Sequence, residues 1–306
     1  MLKMLQIKRG FVILTIVIGV LLGVILISAV LTLTITEPTG FVFNNSNISY
    51  ILLSDETSDF YIFEDRLRSS SADKLCDDVT SCNITVRARE GENNITIKII
   101  NANGDIDSEN IDFLVDTLSP RRITTKPRDN NYMNDSDIFS ISYSEENLAN
   151  ITLRYGNTTQ IKKLFKSSCE SGKKKICEFS VNLDVFNGQE IKYWFDLVDI
   201  ANNKANSSVK LVKIDTEKPF NKSQSFIING NRVTFKFEIE EENFDKIILR
   251  DNSVVNPRWV RFCSVLVVGT CTANKYFRSG VHAIDVKVLD IAGNSKDIYS
   301  NKVIII

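Results

Sequence analysis

The stretch Ile284-Asp285-Val286-Lys287-Val288-Leu289-Asp290-Ile291-Ala292-Gly293-Asn294 decides the fold. Apolar Ile284, Val286 and Val288 take every second position, which puts one face of a β-strand into a core. The Asp, Gly and Asn that follow turn the chain tightly into another strand. The arrangement occurs twice more upstream. Tyr193, Phe195 and Leu197 precede Asp199-Ile200-Ala201-Asn202-Asn203, and Ile95, Ile97 and Ile99 precede Asn101-Ala102-Asn103-Gly104. Each copy follows a close cysteine pair: Cys76 with Cys82, Cys169 with Cys177, and Cys263 with Cys271. The first cysteine recurs after 93 and 94 residues and the second after 95 and 94, a period that defines three tandem repeats.

Two further registers agree with that period. Val115-Asp116-Thr117-Leu118-Ser119-Pro120 and Ile214-Asp215-Thr216-Glu217-Lys218-Pro219 each close a strand with a proline that cannot donate to a ladder, and mark junctions. Glu145-Glu146-Asn147-Leu148 matches Glu241-Glu242-Asn243-Phe244, whereas the first repeat offers only Asp59 to Phe63 as a loose counterpart. Each repeat is close to the roughly 100 residues of an immunoglobulin-type sandwich. The expected fold is all-β: an N-terminal transmembrane helix followed by three tandem Ig-like antiparallel β-sandwiches. The boundaries are 1–10 for a cytoplasmic N-terminus, 11–35 for the membrane anchor, and 36–117, 118–216 and 217–306 for the three domains. The expected core of the third includes Val233, Phe235, Phe237, Ile247, Leu249, Ile284, Val286 and Val288.

The Asp290 to Asn294 turn, the D-T-x-x-P junctions at Asp116 and Asp215, and the E-x-N-(L/F) motif resemble the Ig-like repeats of bacterial and archaeal cell-surface proteins. The resemblance implies an elongated, surface-exposed protein from a prokaryote. The first repeat departs from the pattern, with Asn101 in place of the Asp and no Gly-Asn.

The N-terminus carries its own signal. No charged residue lies between Arg9 and Glu37, and Phe11 to Leu31 is almost wholly apolar, long enough to span a bilayer's hydrocarbon core. Its length and the lack of a small-x-small cleavage site argue for an uncleaved signal anchor. Lys3, Lys8 and Arg9 on the short side put the N-terminus in the cytoplasm and the rest of the chain outside. Gly19 and Gly23 form a GxxxG pair that favours weak self-association of the anchor. Beyond the anchor, nine N-x-S/T sequons begin at Asn44, Asn47, Asn83, Asn94, Asn134, Asn150, Asn157, Asn206 and Asn221. These are the glycosylation candidates, although an Asn-rich β protein also makes such triplets through its turn chemistry. The cysteine pairs read as disulfides suited to an oxidising exterior. Free thiols and half of a zinc site are the competing readings, and a chain with one histidine is short of zinc ligands.

Other chemistry is thin. With 37 Lys plus Arg against 38 Asp plus Glu, nothing favours a nucleic-acid partner. There is a single histidine, His282, and no HExxH, GxSxG or P-loop pattern, so neither enzyme activity nor a cofactor is expected. Acidic groups at Asp105, Asp107 and Glu109, at Asp129 to Asp137, and at Glu238 to Glu242 raise calcium at the junctions as an alternative, but they match no calcium-loop pattern and read as turn chemistry, with no metal site assigned. Lys173 to Lys175 form a solvated basic tip, and Trp194 and Trp259 read as face or core packing. The expected function is a single-pass cell-membrane protein whose outward sandwiches act as a stalk or as an adhesion module for an extracellular protein or glycan. The alternative is a pilin-like filament subunit cleaved after Gly10, because Lys8-Arg9-Gly10-Phe11 resembles the processing site of type IV pilin and archaellin precursors.

Overall fold

The computed structural model describes residues 30–64 and 72–306. Most of the expected anchor and the Gly19 and Gly23 pair therefore lie outside the described residues. The anchor's expected end at residue 35 needs correcting. The alternating Leu33–Glu37 is a strand, pairing antiparallel with Ile51 to Ser54. Among the described residues no helix is long and apolar enough to cross a membrane. The chain divides into two compact units. One takes the residues up to Thr39, Asn47–Arg87 and Asn93–Asp112; the other takes Gly40–Ser46, Ala88–Glu92 and Phe113–Ile306.

The first repeat departs from two separate sheets. Its 18-residue strand Asn47–Glu64 pairs with Leu33–Glu37 near its start and with Gly91–Asn101 near its end, so the strands join into one continuous sheet. The strand continues through Asp55 to Thr57, where the later repeats end one strand and start another. Phe60 faces Ile99 and Ile62 faces Ile97 in register, and all four are buried. The strand Asp73–Arg87 slips register against Asn47–Glu64 between Leu53 and Phe60, and the Cys76–Cys82 disulfide closes the slipped segment, with Cα atoms 5.9 Å apart.

The second and third repeats are sandwiches of two separate sheets. In the second, Gly172–Ser180, Ile138–Glu145 and Arg121–Lys126 form one sheet, in that order. Ile161–Lys166, Leu148–Gly156, Glu190–Asp199, Lys210–Ile214 and Asn131–Met133 form the other, with short Lys204–Asn206 also on Glu190–Asp199. Their inner faces meet in one core, where Phe139 lies 4.8 Å from Tyr193 and Phe179 lies 5.4 Å from Phe195, ring centre to ring centre. In the third, Phe220–Asn229, Arg232–Glu240 and Thr270–Tyr276 face Val260–Cys263, Phe244–Asp251, Val281–Asp290 and Ser295–Ile305. All eight expected core residues are buried there, Val233, Phe235 and Phe237 from one sheet and the other five from its partner.

Cys169 lies just before Gly172–Ser180, where the chain crosses between the sheets of the second sandwich, and is bonded to Cys177. Cys263–Cys271 joins the two sheets of the third directly. Both links sit where the chain crosses from one sheet to the other, so they constrain the sheets relative to one another as well as a loop.

Candidate metal centres

Strand ends bring distant carboxylates together. Glu145 ends Ile138–Glu145, Asp199 ends Glu190–Asp199, and Asp116 follows Val115 at the head of the junction segment. Oxygens of Asp116, Glu145 and Asp199 lie within 4.8 Å of one another, and so do those of Asp215, Glu241 and Asp290. Five of the six side chains are buried and Glu241 is half-buried.

The surrounding hydrogen bonds repeat atom for atom. Asn147 donates its side-chain amide to Asp116 Oδ2 at 2.8 Å, as Asn243 does to Asp215 Oδ2 at 2.8 Å. Asn203 donates to the Asp116 carbonyl at 2.7 Å, as Asn294 does to the Asp215 carbonyl at 2.7 Å. Those asparagines also donate to Asp199 and Asp290 at 2.9 Å each, and the Asn147 and Asn243 backbone amides serve Glu145 and Glu241. The E-x-N and D-x-A-x-N motifs are thus two halves of one clamp on the aspartate of the junction. The first repeat lacks the third carboxylate: Asn101 stands at that corner and donates to Glu56 and to Asp105.

Electrostatically the trios are unbalanced. Arg121 and Lys173 line the depression beside Asp116 and Glu145, yet among the described residues no ion pair engages any of the six carboxylates. Burial, reinforced by the charges of Asp116 and Asp199, pushes Glu145 above the usual carboxylate range against the pull of the Asn147 amide. Burial likewise raises Glu241, with Asp215 and Asp290 adding to it, and raises Asp290 beside Asp215. An all-oxygen donor set suits a hard cation. Ligands on opposite sides of a calcium ion stand about 4.6–5.2 Å apart, and the trios fit within that span.

The residues singled out in the sequence are distributed differently. Of the contiguous acidic groups only Glu241 enters a trio. Asp107 instead accepts the Leu33 amide, Asp129 the Leu211 amide and Asp137 the Asn134 amide. The sequence pattern assigns no metal site, and the other five carboxylates of the trios come from outside its contiguous acidic stretches. Among the sequons, Asn44, Asn47, Asn83, Asn94 and Asn206 are exposed, and Asn150, Asn157 and Asn221 are half-buried. Asn134 is corrected: it is buried, and the nitrogen a glycan would need donates to the Ala292 carbonyl at 2.8 Å. His282 is buried between Asp251 Oδ2 at 2.7 Å and the Arg278 carbonyl at 2.8 Å, a packing role. Lys175 of the basic tip pairs with Glu170. Both tryptophans lie outside the cores.

Fold and clamps define a class, the tandem antiparallel β-sandwich protein with built junctions. Particular neighbours follow from comparison with solved structures. The chain is similar to the FN1–FN3 domains of chicken CNTN1, at 9% identity and TM-score 0.41, covering 88% of this chain and 98% of that one. It is also similar to the titin I-band fragment I67–I69, at 13% identity and TM-score 0.40, covering 84% and 91%. A tetra-tandem repeat from the extending region of a large adhesion protein matches at 11% identity and TM-score 0.35, covering 90% and 74%. No family model matches the sequence, and no curated protein does.

Proposed function

We propose that the chain is a cell-surface stalk or adhesion module, anchored by its apolar N-terminal segment, in which calcium held in the two carboxylate trios clamps the junction aspartates Asp116 and Asp215 onto the sandwich that follows each. One observation carries this reading. The same buried oxygen cage, with the same four amide contacts, is built twice from corners that the sequence keeps far apart. Bound calcium supplies the positive charge that three buried carboxylates lack. The chain does the rest: Asn147 and Asn203 aim Asp116 and fix its carbonyl, and Asn243 and Asn294 do the same for Asp215. The cysteine pairs and the exposed sequons support an exterior location.

Calorimetric titration of the metal-stripped full chain in detergent tests the cage. Calcium binding at two sites is expected, with one lost in Asp215→Asn. Heat-free titrations with unchanged melting would overturn it. N-terminal sequencing of membrane-extracted protein tests the anchor, since a chain beginning at Phe11 would be a processed filament subunit.

A further inference from the structure

A groove of about 420 Å³ lies on the outer face of the second sandwich, lined by Thr152, Arg154, Trp194, Asp196, Lys204 and Asn206. Its floor is the half-buried Trp194, and Arg154 and Asp196 form an ion pair beside it. At the rim stands Asn206, which heads the sequon Asn206-Ser207-Ser208 and is exposed. Asn206 is the register partner of Asp196, which makes it the diagonal neighbour of Trp194 on the same face. Diagonal neighbours on adjacent antiparallel strands stand about 7–8 Å apart. An asparagine side chain and one pyranose ring cover that distance.

We infer that Asn206 carries an N-linked glycan whose first sugar lies on the Trp194 indole, with Arg154, Asp196 and Lys204 placed to bond its hydroxyls. An aromatic floor with a few convergent polar groups is the chemistry that receives a sugar ring, apolar on one face and hydroxylated at its edge. The third sandwich shows the contrast. There Arg250 lies 4.6 Å and Lys287 5.5 Å from the Trp259 ring centre, so the chain's own cations cover that indole. Lys287 also pairs at 3.3 Å with Asp297, its register partner, and no sequon occupies that position. In the second sandwich Lys192 stands 6.0 Å from the Trp194 ring centre, while Arg154, the register partner of Trp194, is engaged by Asp196.

This inference rests on the exterior location proposed above. Glycopeptide mass spectrometry of the full chain from its native membrane should find Asn206 occupied. Hydroxyl-radical footprinting should then show Trp194 oxidised about twice as fast in Asn206→Gln, since one of the two indole faces is uncovered, with Trp259 unchanged. Ser208→Ala removes the sequon without touching Asn206 and should give the same result. A bare Asn206 beside glycosylated Asn83 or Asn94 overturns the inference alone. Bare sequons throughout, together with free thiols, overturn the exterior location with it. Equal Trp194 oxidation with and without the glycan also overturns it.

Discussion

Asn134 shows how one side chain holds the second and third sandwiches in contact. Its amide nitrogen donates to the Ala292 carbonyl, while its oxygen accepts from the Ser136 amide and hydroxyl at 2.9 and 2.6 Å. Asn134→Ala leaves the buried Ala292 carbonyl unpaired and should cost about 1–3 kcal/mol, read as a lowered melting temperature. The triplet around Asn134 is a sequon by spelling alone, because burial is a property of the turn of the next repeat and is not written near residue 134. At Val286 the sequence was more informative. Val286→Asp places an unpaired carboxylate in the core and should cost about 3 kcal/mol or more, whereas Lys287→Asp on the outer face should cost about 1 kcal/mol or less. Equal losses in the two melts would refute the register. Asp285 adds a pH dependence. Burial raises it, but the Asn301 amide, Asn252 and Arg250 outweigh burial and hold it down to about 2. Its folded pKa lies below its unfolded value, so its contribution is present above about pH 4 and is lost as pH falls toward 2. Arg250→Gln should flatten that acid limb of the melting curve.

At the scale of the element, alternation made the strands legible. Runs such as Ile284, Val286 and Val288 have a period of two and bury every second side chain, so both core and register follow from spacing. The trios were not legible, since each draws one carboxylate from each of three corners. Contiguous acids such as Asp129 to Asp137 are spent on backbone amides of their own and neighbouring turns. The end of the anchor was misplaced for a related reason: Leu33 and Ile35 are as apolar as membrane residues, and only their pairing with Asn47–Glu64 distinguishes them. The cross-sheet disulfides give an element-scale prediction. Replacing Cys169 and Cys177 together by serine should lower the stability of the second sandwich by about 2–3 kcal/mol in a denaturant melt, because the closed loop is short.

For the whole molecule, the proposed calcium cages predict that stability depends on calcium and pH together. In chelator, Glu145, Glu241 and Asp290 have folded pKa values above their unfolded ones, so the folded chain binds protons more readily and its stability falls as pH rises through the raised values. Calcium requires the ionised groups and should reverse that slope. At a hundredfold excess over Kd each filled site adds about 2.7 kcal/mol. Differential scanning calorimetry from pH 5 to 7.5, with calcium and with chelator, should therefore give melting curves that diverge as pH rises. Parallel curves would remove the cage.

The short strand Asn131–Met133 runs parallel to Lys210–Ile214, flanked by hydrogen bonds from Asn130 to Leu211 and from Asp215 to Met133. Val42–Phe43 lies parallel to Leu114 and Val115 in the same manner, whereas no such parallel pair closes the third sandwich among the described residues. A pull on the two ends of the second sandwich slides its parallel strands past one another, loading every bond of the pair at once. The third has antiparallel edges only and opens one bond at a time. In a force-extension measurement on the whole chain the third sandwich should therefore open at lower force than the second.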